Sequence, residues 1–199
     1  MAKKTLTINT KGDSTMAKES NKNETEPNNG NTFSLSQREK ELALSLYKIG
    51  IEFTGRSEKE VLELHREVAK QGWPPAQYKL GCCYNEGRGV ERDPKEAVKW
   101  FSKAAKQGHP EAQSQLGLCY DIGDGVKENK TEAVKWYRKA AVQNIDNAQF
   151  NLGCCYANGE GVQRDELKAA KWFYKAAKQG NKEAKDALIS LLKNNSDEE

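Results

Sequence analysis

The side chains with the most reactive chemistry in this sequence are its five cysteines. Cys83, Cys119 and Cys155 are separated by 36 residues at each step, and Cys82 and Cys154 precede two of them. Thiols can bind zinc, form disulfides or act as nucleophiles, provided that the fold brings suitable partners close to them. Which chemistry applies therefore depends on the elements that hold the 36-residue spacing.

Other candidates for catalysis are few. The two histidines of the chain, His65 and His109, have no sequence neighbours that suggest a catalytic triad or a metal cluster. The short motifs Gly87-x-Gly89 and Gly159-x-Gly161 are predicted to be turns between helices, because no strand precedes them as a phosphate-binding loop requires. We therefore expect a protein that is not an enzyme and that uses no metal and no cofactor.

An internal repeat of 36 residues organises the chain from about residue 75 onwards. The repeated positions are Ala76, Ala112, Ala148 and Ala184, then Leu80-Gly81, Leu116-Gly117 and Leu152-Gly153, then Tyr84, Tyr120 and Tyr156, then Trp100, Trp136 and Trp172. A fixed period of this length is typical of a solenoid built from stacked helical units. The predicted fold class is all-α, an α/α superhelix of antiparallel helix pairs.

Each repeat is predicted to contain two helices, A and B. In the first copy Ala76, Leu80 and Tyr84 fall on one stripe of a helix over roughly 75–86, and glycines end it. The predicted N-caps of helix B are Asp93, Asn129 and Asp165, and the left-handed residues after its end are Gly108, Asn144 and Gly180.

The glycine inside helix A predicts close packing. Gly81, Gly117 and Gly153 lie in mid-helix, where glycine costs about 1 kcal/mol relative to alanine. Their recurrence predicts that a neighbouring helix approaches too closely for a side chain. The tryptophans of helix B, Trp100, Trp136 and Trp172, are expected to fill the space that these small residues leave.

These motifs resemble the Sel1-like repeat (SLR) family, a slightly longer relative of the tetratricopeptide repeat. The resemblance rests on Ala-x-x-x-Leu-Gly-x-x-Tyr-x-x-Gly-x-Gly-Val followed by Lys-x-Ala-x-x-Trp-(aromatic)-x-Lys-Ala-Ala, and it covers about residues 57–193. It implies a superhelix that serves as an adaptor or scaffold in protein complexes, with helix A lining the concave face.

The predicted domain organisation follows the repeat. Residues 36–74 form a degenerate N-terminal capping repeat, residues 75–110, 111–146 and 147–182 are repeats 1 to 3, and residues 183–199 are a C-terminal capping helix and tail. Residues 1–35 are predicted to be a disordered tail, because this polar segment cannot bury enough apolar surface to offset its ordering entropy. It either keeps the chain soluble or acts as a targeting or docking arm.

The spacing of the cysteines argues against cross-links. Equivalent helices of neighbouring repeats lie about 8–10 Å apart, whereas a disulfide needs Cα atoms within about 7 Å. Free thiols in a reducing compartment are predicted. Some secreted members of the resembled family have disulfides from helix B to the next helix A and have been described as β-lactamases. This chain has Ala105, Ala141 and Ala177 where their helix-B cysteine falls, which weakens the alternative of a secreted β-lactamase-like hydrolase.

A protein or peptide partner, of unknown identity, is predicted to bind the concave face of helices A. The candidate residues change from copy to copy, so the fold does not dictate them, although the aromatic ones have packing between repeats as an alternative role. They are Tyr78, Lys79, Cys82 and Asn85 in copy one, Ser114, Gln115, Leu118 and Asp121 in copy two, and Phe150, Asn151 and Cys154 in copy three.

Lysines on helix B offer a second candidate surface. They form two ladders, Lys99, Lys135 and Lys171, and Lys103, Lys139 and Lys175. Nucleic acid or an acidic partner could bind there through salt-sensitive contacts. Lysine belongs to the family pattern at these positions, however, and Glu96, Glu132 and Glu166 are interspersed, which favours a solvated face.

Composition completes the sequence-based picture. Charged residues make up 31% of the chain, and its net charge of +3 is too small to indicate nucleic acid or membrane binding. No apolar run approaches the roughly 18 residues that span a bilayer, and no secretory signal is recognisable. We expect a monomeric, cytoplasmic protein that does not associate with membranes, and delivery into another cell remains open.

Overall fold

The computed structural model describes residues 38, 41, 42, 44, 45 and 55–196. The predicted disordered tail, residues 1–35, lies outside the described residues, as does most of the segment 36–54. Residues 38, 41, 42, 44 and 45 are helical. Eight helices follow over 55–196: α1 Glu58–Lys70, α2 Pro74–Glu86, α3 Pro94–Lys106, α4 Pro110–Ile122, α5 Lys130–Ala141, α6 Asp146–Asn158, α7 Glu166–Lys178 and α8 Lys182–Ser196.

These helices pack in adjacent pairs, and each contacts mainly the helices before and after it in the chain. The predicted helix A corresponds to α2, α4, α6 and α8. The predicted helix B corresponds to α1, α3, α5 and α7. Contacts are densest within the pairs α2–α3, α4–α5 and α6–α7, and each pair also contacts its neighbours. The predicted all-α fold of paired helices is confirmed. No helix in the described part of the chain is long and apolar enough to cross a membrane.

The helix ends follow the predicted cap residues. The side chains of Asp93, Asn129 and Asp165 accept hydrogen bonds from backbone N–H groups three residues later, at 3.0, 3.1 and 2.9 Å. At the other end of helix B, Gly108, Asn144 and Gly180 have φ of 91°, 63° and 98°. Asn144 is the only residue other than glycine with positive φ in the described part of the chain, as its predicted place after a helix end requires.

The packing of the helix-A glycines corrects one prediction. A Cβ on Gly81, Gly117 or Gly153 would lie 2.6 Å from a ring carbon of helix B in the same repeat. The rings belong to Phe101, Tyr137 and Phe173, not to the tryptophans that precede them. Trp100 instead belongs to a buried cluster that joins Leu62, Leu64 and Val68 of α1 to Leu80 and Cys83 of α2, at the seam with the preceding repeat. Neighbouring helix positions point in directions about 100° apart, so only one of the two aromatic residues can lie against the glycine.

A ladder of buried glutamines also links the repeats. The Nε2 atoms of Gln77, Gln113 and Gln149 donate to the backbone carbonyls of Ala69, Ala105 and Ala141 in the preceding helix B, at 3.3, 3.1 and 3.0 Å. Their Oε1 atoms accept hydrogen bonds from Gln107, Gln143 and Gln179, at 2.7, 2.8 and 2.8 Å. Each glutamine therefore ties three consecutive helices together.

Candidate functional site

The aromatic positions of the predicted binding face are occupied by packing. The Tyr78 ring lies 5.0 Å from His109 in a stacked arrangement and 5.9 Å from Phe101, centroid to centroid. The Phe150 ring lies 5.9 Å from Phe173. Both rings are half-buried against the aromatic ring of helix B that packs on the helix-A glycine of the same repeat. Most of their surface is therefore turned toward the fold.

One turn further along helix A, the three repeats differ in exposure. Cys82 in α2 is only 9% exposed, and Cys154 in α6 is half-buried. Leu118, the equivalent residue of α4, is 37% exposed. The middle repeat therefore presents a large aliphatic side chain where its neighbours present a more buried thiol.

Asp121 is engaged by other parts of repeat 2. The Lys130 ammonium donates to its backbone carbonyl at 2.8 Å and to its Oδ1 at 2.9 Å. The Tyr137 hydroxyl donates to Oδ2 at 3.2 Å. Lys130 also lies 3.7 Å from Glu128 and 3.8 Å from Glu160, so three carboxylates surround this one ammonium group. Asp121 thus helps to hold the turn between α4 and α5.

The remaining predicted residues lie on the surface or at its edge. Lys79 is exposed, and Asn85, Ser114, Gln115 and Asn151 are half-buried. Apart from the aromatic residues and Asp121, the predicted residues with partly or fully accessible side chains run across three helices A: Lys79 and Asn85 in α2, Ser114, Gln115 and Leu118 in α4, and Asn151 and Cys154 in α6.

One exposed residue of this surface was not predicted. Ile122, the last residue of α4, is 61% exposed and lies one turn after Leu118 on the same helix. Its equivalents in the other repeats are Glu86 and Asn158. Comparison of the copies at this position would have identified it, because a polar position becomes aliphatic in repeat 2 alone. We call Leu118 and Ile122 the α4 apolar pair.

The thiols of the repeats lie in environments dominated by burial. All five cysteines are free, and burial raises the pKa of Cys83, Cys119 and Cys154 to about 11 and that of Cys155 to about 12. Thiols with such pKa values are not thiolates at neutral pH. Among the described residues, no group of His, Cys, Asp and Glu side chains could hold a metal ion.

His65 and His109 have structural environments. Burial lowers the pKa of His65 to about 4, and it also lowers the pKa of His109. The His109 Nδ1 accepts a hydrogen bond from the Ala112 backbone N–H at 3.4 Å. It therefore caps the N-terminus of α4 as a neutral imidazole, and the carboxylate of Glu111 at 3.3 Å is not its ion-pair partner.

Sequence comparison identifies the repeats. The Sel1 repeat matches residues 74–109, 110–144 and 146–181, which together span more than half of the chain. This chain belongs to the Sel1 repeat family. No match was found among curated proteins.

Two solved structures are similar to this chain in both sequence and fold. A protective antigen present in uropathogenic Escherichia coli strains, which displays an SLR fold, is 44% identical over 72% of this chain, with a TM-score of 0.63. A Sel1 repeat protein from Oxalobacter formigenes is 32% identical over 76% of this chain, with a TM-score of 0.66. This chain covers 30% of the first protein and 62% of the second, so both relatives extend beyond it.

A second surface of the Sel1 repeats combines lysine with tryptophan. The ammonium groups of Lys103, Lys139 and Lys175 lie 3.8, 4.1 and 4.4 Å from the ring centroids of Trp100, Trp136 and Trp172, within cation–π distance. We call these three pairs the lysine–tryptophan ladder. Two of the other predicted lysines differ, because Lys99 and Lys135 form ion pairs with Glu96 and Glu132 on their own helices.

Proposed function

We propose that this Sel1 repeat chain is a non-catalytic scaffold that binds a protein or peptide partner along its helices A. The observation that carries the proposal is the α4 apolar pair, Leu118 and Ile122, which is exposed in the middle of the three repeats. An exposed apolar patch costs solubility without helping the fold, and such patches commonly mark interaction sites. Repeat solenoids typically use an extended surface of this kind for binding.

Neighbouring side chains would complete the surface. Lys79 lies on the preceding helix A, and Asn151 and Cys154 lie on the following one. A partner that crosses the three helices would meet a positive charge, then an aliphatic patch, then an amide. This order of charged, apolar and amide side chains suits an extended peptide whose central residue is apolar, because the amide groups of Gln115 and Asn151 can bond to the peptide backbone.

The test begins with peptide selection from a displayed random library on the wild-type chain. The affinity of a selected peptide is then measured for the wild type and for Leu118→Arg/Ile122→Arg. Placing charge in a desolvated apolar contact should weaken binding at least about tenfold, since each buried aliphatic side chain contributes about 1.5–3 kcal/mol. Circular dichroism should show unchanged helicity, because both side chains are solvent-exposed.

The matched control is Leu167→Arg on α7, which replaces an aliphatic side chain that is 77% exposed. It should leave the affinity of the peptide within about twofold of the wild type, as expected for a surface change away from the contact. Equal binding by the α4 double variant and the wild type would refute the proposed surface.

A further inference from the structure

We propose that the lysine–tryptophan ladder is a second binding surface, and that it takes an extended acidic peptide whose carboxylates are spread along its length. This surface is formed by helices B and shares no residue with the α4 apolar pair. It is therefore independent of the scaffold function proposed for helices A.

The ladder carries positive charge that the rest of the fold does not neutralise. Lys103, Lys139 and Lys175 are exposed, and within the described part of the chain no carboxylate lies at ion-pair distance from them. The neighbouring Lys99 and Lys135 do have such partners. The Lys99 ammonium lies 2.7 Å from the Glu96 carboxylate, and the Lys135 ammonium lies 2.5 Å from the Glu132 carboxylate. Three cations at equivalent places in successive repeats therefore remain available to anions.

Each of these cations is held in place by an indole. A lysine side chain normally loses much rotational freedom when it binds a ligand, at a cost of up to about 2 kcal/mol. Contact between the ammonium and the tryptophan ring restricts the side chain before any ligand arrives. The ladder is thus partly organised for carboxylate binding, which ordinary surface lysines are not.

The middle pair of the ladder lies in a shallow recess on α5. The recess has a volume of about 380 Å³ and is lined by Glu132, Lys135, Trp136, Arg138, Lys139 and Val142. Val142 is 65% exposed, and the Trp136 ring is half-buried, so the recess offers apolar surface beside the Lys139 ammonium. An apolar side chain next to a carboxylate would complement both features.

The placement of the three cations favours a peptide. They lie on α3, α5 and α7, with a helix A between each two in the chain, so an occupant must cross from one repeat to the next to meet two of them. An extended peptide, which advances about 3.3 Å per residue, can do so with a short segment. Single-stranded nucleic acid gains much of its affinity from base stacking on aromatic rings. Here an ammonium group lies over the face of each indole, where a base would have to stack.

The test uses a fluorescently labelled synthetic peptide with glutamates spaced evenly along its length and a leucine beside the central glutamate. Its binding to the full chain is measured by fluorescence anisotropy at low and at physiological salt. Lys103→Gln/Lys139→Gln should weaken binding at least about fivefold, as expected for the loss of two charge contacts. A peptide of the same composition with its glutamates grouped at one end should bind more weakly than the spaced peptide.

The control variant Lys99→Gln/Lys168→Gln removes the same number of positive charges from lysines that are already ion-paired, with Glu96 and Asp165, and that do not line the recess. It should weaken binding less than about twofold. An equal loss in the two double variants would show long-range attraction without a site and would overturn the proposal. So would the absence of binding at low salt, or tighter binding of a single-stranded oligonucleotide of the same charge.

The two surfaces can be separated with the double variant of the α4 apolar pair. Leu118→Arg/Ile122→Arg should bind the acidic peptide as the wild type does, whether or not the helix-A surface proves to be functional. If that variant loses the acidic peptide while the lysine variants keep it, the peptide occupies helices A and the ladder is not its site.

Discussion

At the scale of single residues, one glycine in each helix A sets how closely its helix B can approach. The Phe173 ring lies directly against the backbone of Gly153, and a Cβ there would be 2.6 Å from two ring carbons. The same contact recurs between Gly117 and Tyr137. Real Cβ atoms do not tolerate such a distance, so the helix pair could accept a side chain only by moving apart. The aromatic ring and the glycine therefore form a single packing unit.

Gly153→Ala should consequently destabilise the protein even though alanine favours helix by about 1 kcal/mol. Overpacking of a core typically costs about 1–3 kcal/mol, and the Phe173 ring is buried with little room to shift. The measurement is urea unfolding of the variant against the wild type. Phe173→Leu in the same chain should recover part of the loss, because the smaller side chain leaves room for the methyl group. A stabilised Gly153→Ala variant would contradict the close contact.

At the scale of helices, the buried glutamines show that the seam between repeats is not purely hydrophobic. Gln113 in α4 bonds to the carbonyl of Ala105 in α3 and accepts a bond from Gln143 at the end of α5. A buried amide must satisfy its polar atoms, so this side chain fixes the relative position of the three helices. Repetition of the arrangement at Gln77 and Gln149 gives each seam the same register.

Gln113→Met tests how much these glutamine hydrogen bonds contribute to the stability of the fold. Methionine keeps the length and most of the volume of glutamine but cannot donate to Ala105 or bond to Gln143 as glutamine does. The free energy of unfolding should fall by about 1–2 kcal/mol, the sum of two ordinary hydrogen bonds. Gln115→Met on the same helix is the matched control, because the half-buried Gln115 side chain makes no hydrogen bond within the described residues. This substitution should change the free energy of unfolding by less than about 0.5 kcal/mol. Equal effects of the two substitutions on the free energy of unfolding would mean that the hydrogen bonds of Gln113 add no stability.

The helices themselves were largely predictable, and the reason is the 36-residue period. Asp93 and Asn144 could be assigned as end residues because cap chemistry is local and recurs in each copy. The roles of Trp100 and Phe101 could not be assigned, since they are adjacent on one helix and the period does not tell which neighbour each faces. Gln113 repeats as regularly as the apolar positions do, but its burial depends on a carbonyl of another helix.

The candidate site was less predictable than the fold, because its residues are those that change between copies. The engagement of Asp121 depends on Lys130, which occupies the place of Pro94 in the first repeat and of Glu166 in the third. That contact exists in one repeat only, so the repeat pattern contains no sign of it. Ile122, in contrast, was identifiable from the copies, since only repeat 2 has an aliphatic residue there.

At the scale of the whole molecule, the structure is a chain of nearest-neighbour contacts. The turn glycines Gly89, Gly125 and Gly161 each lie against the backbone at the start of the preceding helix B, with no space for a Cβ. Helices, turns and glutamines therefore all connect one repeat to the next, and contacts between helices that are distant in sequence are sparse. The stability of such an array is a sum of repeat terms and interface terms.

Tyr137→Ala places a defect in the middle of this array. Tyr137 is fully buried, fills the notch of Gly117 and donates to Asp121, so its loss should cost about 3–5 kcal/mol. Because coupling passes only between neighbours, amide hydrogen exchange should accelerate most in α4, α5 and α6, and less in α1 and α7. Tyr174→Ala on α7, where the ring is exposed, should leave the exchange pattern unchanged. Equal acceleration in all eight helices would instead show one indivisible folding unit, in which the seams are too strong for any repeat to open by itself.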